Sequence, residues 1–225
     1  MVAKTGKERI FVNIAALISA CVAIYLEFVG ERTLYIFFKP LTTMLIISLL
    51  FFVPKGGLSR FRNLMVAALA FCLVGDILLL WEGYFVLGLA SFLLAHLLFA
   101  TGFIQLEGFH FRWISFLVLF SIGVGLFLWL RPDLGNFLIP VTAYITVIVF
   151  MAMQGVNLFL RDKKSAYAMI ALAVLLFMFS DTMIATDKFK SPFSWSGPII
   201  LGTYWLSIAL IANAAVKIMA DKKPA

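Results

Sequence analysis

Residues 64–103 read LMVAALAFCLVGDILLLWEGYFVLGLASFLLAHLLFATGF, and this stretch decides the fold class. Two apolar runs, 64–81 and 85–103, flank the short break Glu82-Gly83-Tyr84. Each is close to the roughly 20 residues that a helix needs to cross the hydrocarbon core of a bilayer. Six more runs of the same kind lie at 10–29, 34–53, 113–130, 137–159, 166–185 and 198–216, separated by charged or Gly/Pro-containing breaks. The sequence therefore predicts an all-α, polytopic membrane protein with eight transmembrane helices in a single transmembrane domain, residues 1–225. In the second run Lys39-Pro40 is an interruption, tolerable where proline falls within the first turns of a helix. Composition agrees, because 64% hydrophobic and 13% charged side chains cannot cover the surface of a soluble domain. A chain of 225 residues holds at most about ten spans, which leaves no room for a separate soluble domain.

The net charge of +7 comes from clusters between the apolar runs, not from one basic face, so it argues for membrane topology and against nucleic acid. With eight spans, one side collects Lys4, Lys7, Arg9, Lys55, Arg60, Arg62, Arg112, Arg161, Lys163, Lys164, Lys217, Lys222 and Lys223. The other collects Arg32, Lys39, Arg131, Lys188 and Lys190. Thirteen against five places both termini in the cytoplasm. The expected location is a multi-pass position in the inner membrane of a bacterium or the endoplasmic reticulum of a eukaryote. Cys21 and Cys72 lie inside apolar runs and read as small buried hydrophobes, not a disulfide. Ile18-Ser19-Ala20-Cys21 is similar to a lipoprotein processing site, but the apolar run continues through Phe28 and reads as a retained span.

An ionisable side chain in the middle of a span costs roughly 2.5 to 3.5 kcal/mol on insertion scales, so it should face protein or a water-filled cavity. Glu27, Asp76 and Asp181 come late in outward spans, and Lys39, Tyr144 and Tyr204 come early in inward spans. All six are therefore expected in the non-cytoplasmic half, with His96 near mid-depth. Two carboxylates at one depth exceed what helix packing requires, and they make Asp76 and Asp181 the leading candidates for chemistry. Glu27 and Lys39 lie near span ends, where long side chains either snorkel to the interface or turn inward. Tyr144 and Tyr204 read first as interface aromatics and only second as site residues, and His96 equally as a satisfied structural histidine or a proton handler. Gly88, Ser91 and Ala95 give the face near His96 a small profile that admits a neighbouring helix. Asp187, Lys188 and Lys190 read as a solvated loop, and His110 as an isolated loop residue. An internal echo joins the halves, since Lys39 to Asp76 and Tyr144 to Asp181 are both 37 residues apart. A parallel duplication of four plus four helices would produce it.

No short His-x-x-x-His spacing supports a metal site, and no Gly-x-Ser-x-Gly elbow, phosphate-binding glycine loop or Cys-x-x-Cys is present. No cofactor is expected. Two carboxyl groups held together cannot both ionise easily, so such a pair supplies one general acid and one general base. A cavity at the depth of the outer head groups would receive an amphiphile, with Lys39 able to meet a phosphate.

Gly75-Asp76-Ile77-Leu78-Leu79, then Phe85-x-x-Gly88-Leu89-x-Ser91-Phe92-Leu93-x-Ala95-His96, then Ser180-Asp181-Thr182-x-x-Ala185-x-x-Lys188-Phe189, resembles the YhhN family of multi-pass proteins, and Lys39-Pro40-Leu41 resembles its early Lys-Pro element. The resemblance covers nearly the whole chain in order and spacing. It departs on the last span, where the family pattern has a Gln four residues after a Tyr and this chain has Tyr204 followed by Ile208. What the resemblance implies is hydrolysis of the vinyl ether bond of lysoplasmalogen, releasing a fatty aldehyde and glycerophosphoethanolamine or glycerophosphocholine. The implied roles are catalysis for Asp76 and Asp181, and substrate binding for Lys39, His96, Tyr144, Tyr204 and Glu27. The implied partners are a lysophospholipid substrate and membrane lipids, with no nucleic acid and no obligatory protein partner. Two readings compete: a proton-coupled transporter, in which Asp76, Asp181 and His96 form a relay, and a non-catalytic lipid-binding protein. An intramembrane aspartyl protease fits less well, because Leu73-Val74-Gly75-Asp76 lacks the expected Gly-x-Gly-Asp.

Overall fold

A computed structural model describes residues 2–52 and 58–221, with the side chains of residues 2–5 left aside. Lys55, Lys222 and Lys223 of the charge partition lie outside the described residues, as does the side chain of Lys4. Eight helices follow one another: α1 (Val2–Phe28), α2 (Arg32–Ser48), α3 (Ser59–Leu78), α4 (Phe85–Glu107), α5 (Trp113–Leu130), α6 (Leu138–Arg161), α7 (Ser165–Phe189) and α8 (Ser196–Asp221). All eight are long and apolar enough to cross a membrane, α2 with the 3-10 turn Leu49–Phe51 that extends it. Helices are the natural form here, because each satisfies its own N–H and C=O groups where no water can.

Most helices outrun their apolar stretches. The α4, α7 and α8 helices continue to Glu107, Phe189 and Asp221, so charged residues that look like loop in the sequence form last turns instead. Asp187 and Lys188 are the clearest correction, since both belong to α7. Lys190, just beyond it, pairs with Asp133. Pro40 lies in the third turn of α2, deeper than expected; it offers no N–H to the Ile36 carbonyl, yet the helix runs through it. The α1–α2 turn is set by Gly30, whose φ of 75° suits glycine, with Glu31 N–H donating to Leu26 C=O at 2.9 Å and Gly30 N–H to Glu27 C=O at 3.1 Å. Glu31 then caps α2 by accepting from the Thr33 N–H at 3.2 Å.

Neighbour contacts run α1–α2–α3–α4–α6–α7–α8 and back to α1, a closed circuit of seven helices. The α5 helix stands outside it, packed mainly on α6, while α8 also reaches α2 and α3. Small residues fix the closest approaches, as expected where lipid provides no hydrophobic drive between helices. A Cβ on Gly75 would overlap the Phe92 ring, one on Gly88 would overlap Leu79, and one on Gly155 would overlap Val174. Ser91 hydroxyl donates to the Phe71 carbonyl at 2.7 Å, binding the small face of α4 to α3. Ser180 does the same between α7 and α8 through the Ile200 carbonyl at 2.9 Å. Of the two cysteines only Cys72 is buried; Cys21 is exposed on α1, because its side of that helix faces away from the bundle. His110 is not isolated: its carbonyl accepts from Asn157 at 2.8 Å and its ring pairs with Arg161.

Candidate active site

The end of the bundle opposite the termini holds the α1–α2, α3–α4, α5–α6 and α7–α8 connections, and here a cavity of about 280 Å³ enters between α1, α2, α3, α4, α7 and α8. Its wall carries Glu27, Lys39, Asp76, Asp181 and Tyr204, five of the seven residues singled out in the sequence. Glu27 comes from the last turn of α1, and Asp76 and Asp181 come from α3 and α7.

Asp76 is almost completely buried. One of its oxygens, Oδ2, accepts from the Thr43 hydroxyl at 2.5 Å and the Tyr204 hydroxyl at 2.9 Å. Thr43 in turn accepts from the Trp205 indole N–H at 3.2 Å, so α2, α3 and α8 converge on this carboxylate. Asp181 takes a single hydroxyl, that of Tyr144, at 2.5 Å to Oδ2. His96 Nε2 stands 3.7 Å from the same oxygen, beyond hydrogen-bond range. Both ring nitrogens of His96 are buried without a partner among the described residues. The ring itself is held by edge contacts with Phe177 at 4.6 Å and Tyr144 at 5.3 Å between centroids. Phe177 lies one turn before Asp181 on α7 and also meets Tyr204 and Phe92, making an aromatic floor beneath the two carboxylates.

Both aspartates thus face one cavity, but each has its own hydroxyl donors, and no hydrogen bond joins them among the described residues. Tyr144 and Tyr204 are buried site neighbours, not interface aromatics. Lys39 does not snorkel outward; it is 7% exposed, its ammonium lies 5.8 Å from the Tyr35 ring centre, and it has no hydrogen bond or ion pair among the described residues. Three site residues escaped the sequence reading. Thr43 and Tyr35 sit four residues either side of Lys39, a spacing that puts all three on one helix face and marks them as its companions. Asp187 was hidden by its charged neighbours.

A second, apolar cleft of about 50 Å³ runs from the same place between α3, α4, α5, α6 and α7, lined by residues such as Leu89, Leu126, Val141, Ile145, Met178 and Ala185. Leu79, Phe85, Phe92, Asp181 and Ile184 line both spaces. Of the two aspartates only Asp181 touches the apolar one. Among the described residues no group of three or more His, Cys, Asp or Glu side chains is arranged to hold a metal ion.

The sequence model of the YhhN family matches residues 34–215, most of the chain and every one of these site positions except Glu27. The chain belongs to the YhhN family. Among curated proteins it is similar to the bovine protein named lysoplasmalogenase TMEM86A, with 35% identity over 156 residues, 66% of this chain and 63% of that one. Human lysoplasmalogenase TMEM86B is 32% identical over 166 residues, covering 73% and 67% of the two chains. The lysoplasmalogenase of Mycobacterium tuberculosis is 31% identical over 172 residues, covering 72% and 63%. This YhhN chain therefore spans a little under two thirds of the bovine relative. No solved structure matches it. Ile208, four residues after Tyr204, is fully buried in the core, so α8 offers apolar packing at that position.

Proposed function

We propose that this protein is a membrane-embedded hydrolase that cleaves the vinyl ether bond of lysoplasmalogen to a fatty aldehyde and a glycerophospho head-group alcohol. The observation that carries the reading is the position of Asp181, on the wall shared by a polar cavity and an apolar cleft. A lysoplasmalogen has the same division: a phosphate-bearing glycerol, a hydrocarbon chain, and the vinyl ether at the boundary. Seated with its head group in the polar cavity and its chain in the cleft, the lipid brings that bond to Asp181.

Asp181 then donates a proton to the alkene carbon distal to the ether oxygen, and the adjacent carbon and oxygen share the positive charge as an oxocarbenium ion. Asp76, held by Thr43 and Tyr204, accepts the proton of a water that adds to that cation. The resulting hemiacetal collapses as Asp76 returns its proton to the leaving glycerol oxygen and Asp181 takes the hemiacetal hydroxyl proton, so the carbon–oxygen bond breaks to aldehyde and alcohol, one water is consumed and both carboxyls are reset. Lys39, which has no partner among the described residues, receives the phosphate in the polar cavity. Tyr144 orients Asp181, and His96 completes the wall behind it.

Purified protein in liposomes containing lysoplasmenylethanolamine is expected to release fatty aldehyde, read by a coupled aldehyde dehydrogenase. Absence of aldehyde from folded wild-type protein across lysoplasmenyl substrates would overturn the reading.

A further inference from the structure

The first and last helices meet at the end of the bundle that holds both chain termini, and there an open groove of about 570 Å³ lies between α1, α7 and α8. It shares no lining residue with the cavity of the two aspartates. Its floor is a pair of amides: Asn13 Nδ2 donates to Asn213 Oδ1 at 3.2 Å, and Asn213 Nδ2 donates to Asn13 Oδ1 at 2.8 Å. That bridge sets the register of two helices that run in opposite directions. Arg9 precedes Asn13 by four residues and Lys217 follows Asn213 by four. Both cations therefore stand about 6 Å nearer the terminal end than the amides, each on the groove face of its helix and at one level.

Arg9 is half-buried, and its Nε is buried without a partner among the described residues. Lys217 leans on a neutral group, its ammonium donating to the Ser165 hydroxyl of α7 at 2.6 Å. Asp221, one turn beyond Lys217, is the acid on the groove wall, and it pairs with neither cation among the described residues. Two cations against one carboxylate leave the rim with a positive excess, and an arginine fork without an acceptor suits an oxyanion. Around and below the amides the wall turns apolar, with Met169 of α7 and Leu206, Ala209 and Leu210 of α8. Leu206, exposed on the outside of the bundle, lies about 16 Å deeper than Lys217 along α8, so the trough runs from the charged rim well into the hydrocarbon region.

We infer that this groove is a binding site for an anionic diacyl phospholipid of the surrounding leaflet, with Arg9 and Lys217 holding its phosphate and the α8 trough taking an acyl chain. A basic rim above an apolar trough between helix ends has the two halves of such a lipid laid out in order. A zwitterionic lipid brings its own cation to the same rim and gains less there, and a free phosphate ester gains nothing from the trough. The bound lipid bridges α1, α7 and α8 where the circuit of helices closes, so it acts on the stability of the bundle and not on the reacting bond.

The test is native mass spectrometry of the full chain equilibrated in mixed micelles with phosphatidylglycerol and phosphatidylcholine of the same acyl chains. The ratio of the two bound lipids is internal to each preparation, so loss of folded protein leaves it unmoved. Wild type is expected to favour phosphatidylglycerol by about tenfold, and the double variant of Arg9→Gln with Lys217→Gln to bring the two within about threefold. A control carrying Arg60→Gln with Lys163→Gln removes the same charge from the same end of the bundle, outside the groove, and should keep the preference. Retention of the preference by the groove variant, or an equal loss in the control, would overturn the site. Displacement of the lipid by an equal concentration of glycerol phosphate would overturn a phospholipid as its occupant.

Discussion

Asp76 and Asp181 come late in α3 and α7 and line one cavity, yet their surroundings differ. Asp76 accepts from two hydroxyls and touches only the polar cavity. Asp181 accepts from one, has the unpartnered His96 ring behind it, and borders the apolar cleft as well. The two settings also echo each other. Each carboxylate receives a hydroxyl from the second helix of its own half, Thr43 on α2 or Tyr144 on α6. Each also meets a ring from the fourth helix of the other half, Tyr204 on α8 or His96 on α4. This arrangement is what a four-plus-four duplication would leave. The comparison teaches that neighbours can set two identical side chains apart, and in the proposed mechanism the well-tied carboxylate suits the reception of a water proton and the loosely tied one beside an apolar wall suits delivery to carbon.

The strongest way to break that division is to remove the acid. Asp181→Asn is expected to lower kcat about 10²- to 10⁴-fold, the range for a general acid, while binding of a saturated ether lysolipid persists. Loss of binding together with turnover would make Asp181 a structural residue. A smaller effect should come from the apolar side alone: Ala185→Phe, on the cleft wall, is expected to reduce kcat/KM on long-chain substrates about tenfold and to spare short-chain ones, read from a chain-length series. Equal loss across the series would mean that the cleft does not hold the chain. The finest test compares two hydroxyls. Tyr144→Phe strips Asp181 of its one donor and should cost about tenfold in kcat, whereas Tyr204→Phe leaves Asp76 with Thr43 and should cost about threefold. Reversal of that order would reverse the assignment of acid and base.

The eight helices were legible because length and polarity alone decide a span, and no break contained enough polar chain to be mistaken for anything else. Their ends were less so. Where a helix leaves the hydrocarbon region its residues turn charged while its hydrogen bonding continues, which is why Asp187 and Lys188 read as loop. The hydroxyls that hold the aspartates were not legible: the 37-residue spacing of Tyr144 and Asp181 read as a mark of duplication and not as a hydrogen bond. Nor was the partition of the space between the aspartates, because rotation about each helix axis depends on where glycines let neighbours in: Gly75 admits the Phe92 ring, and that ring helps divide polar from apolar. Cys21 went astray for the related reason that an apolar residue in a span gains nothing by facing inward when lipid lies outside.

The single shared wall between the wet and the oily space has a further consequence for traffic. On the proposed reading, an amphiphile cut at that boundary yields one fragment that belongs in water and one that belongs in the bilayer, and each already stands in the compartment that suits it. Neither half retains the dual character needed to fill both spaces, so spent material competes poorly with incoming lipid, and the protein would clear itself without a moving gate.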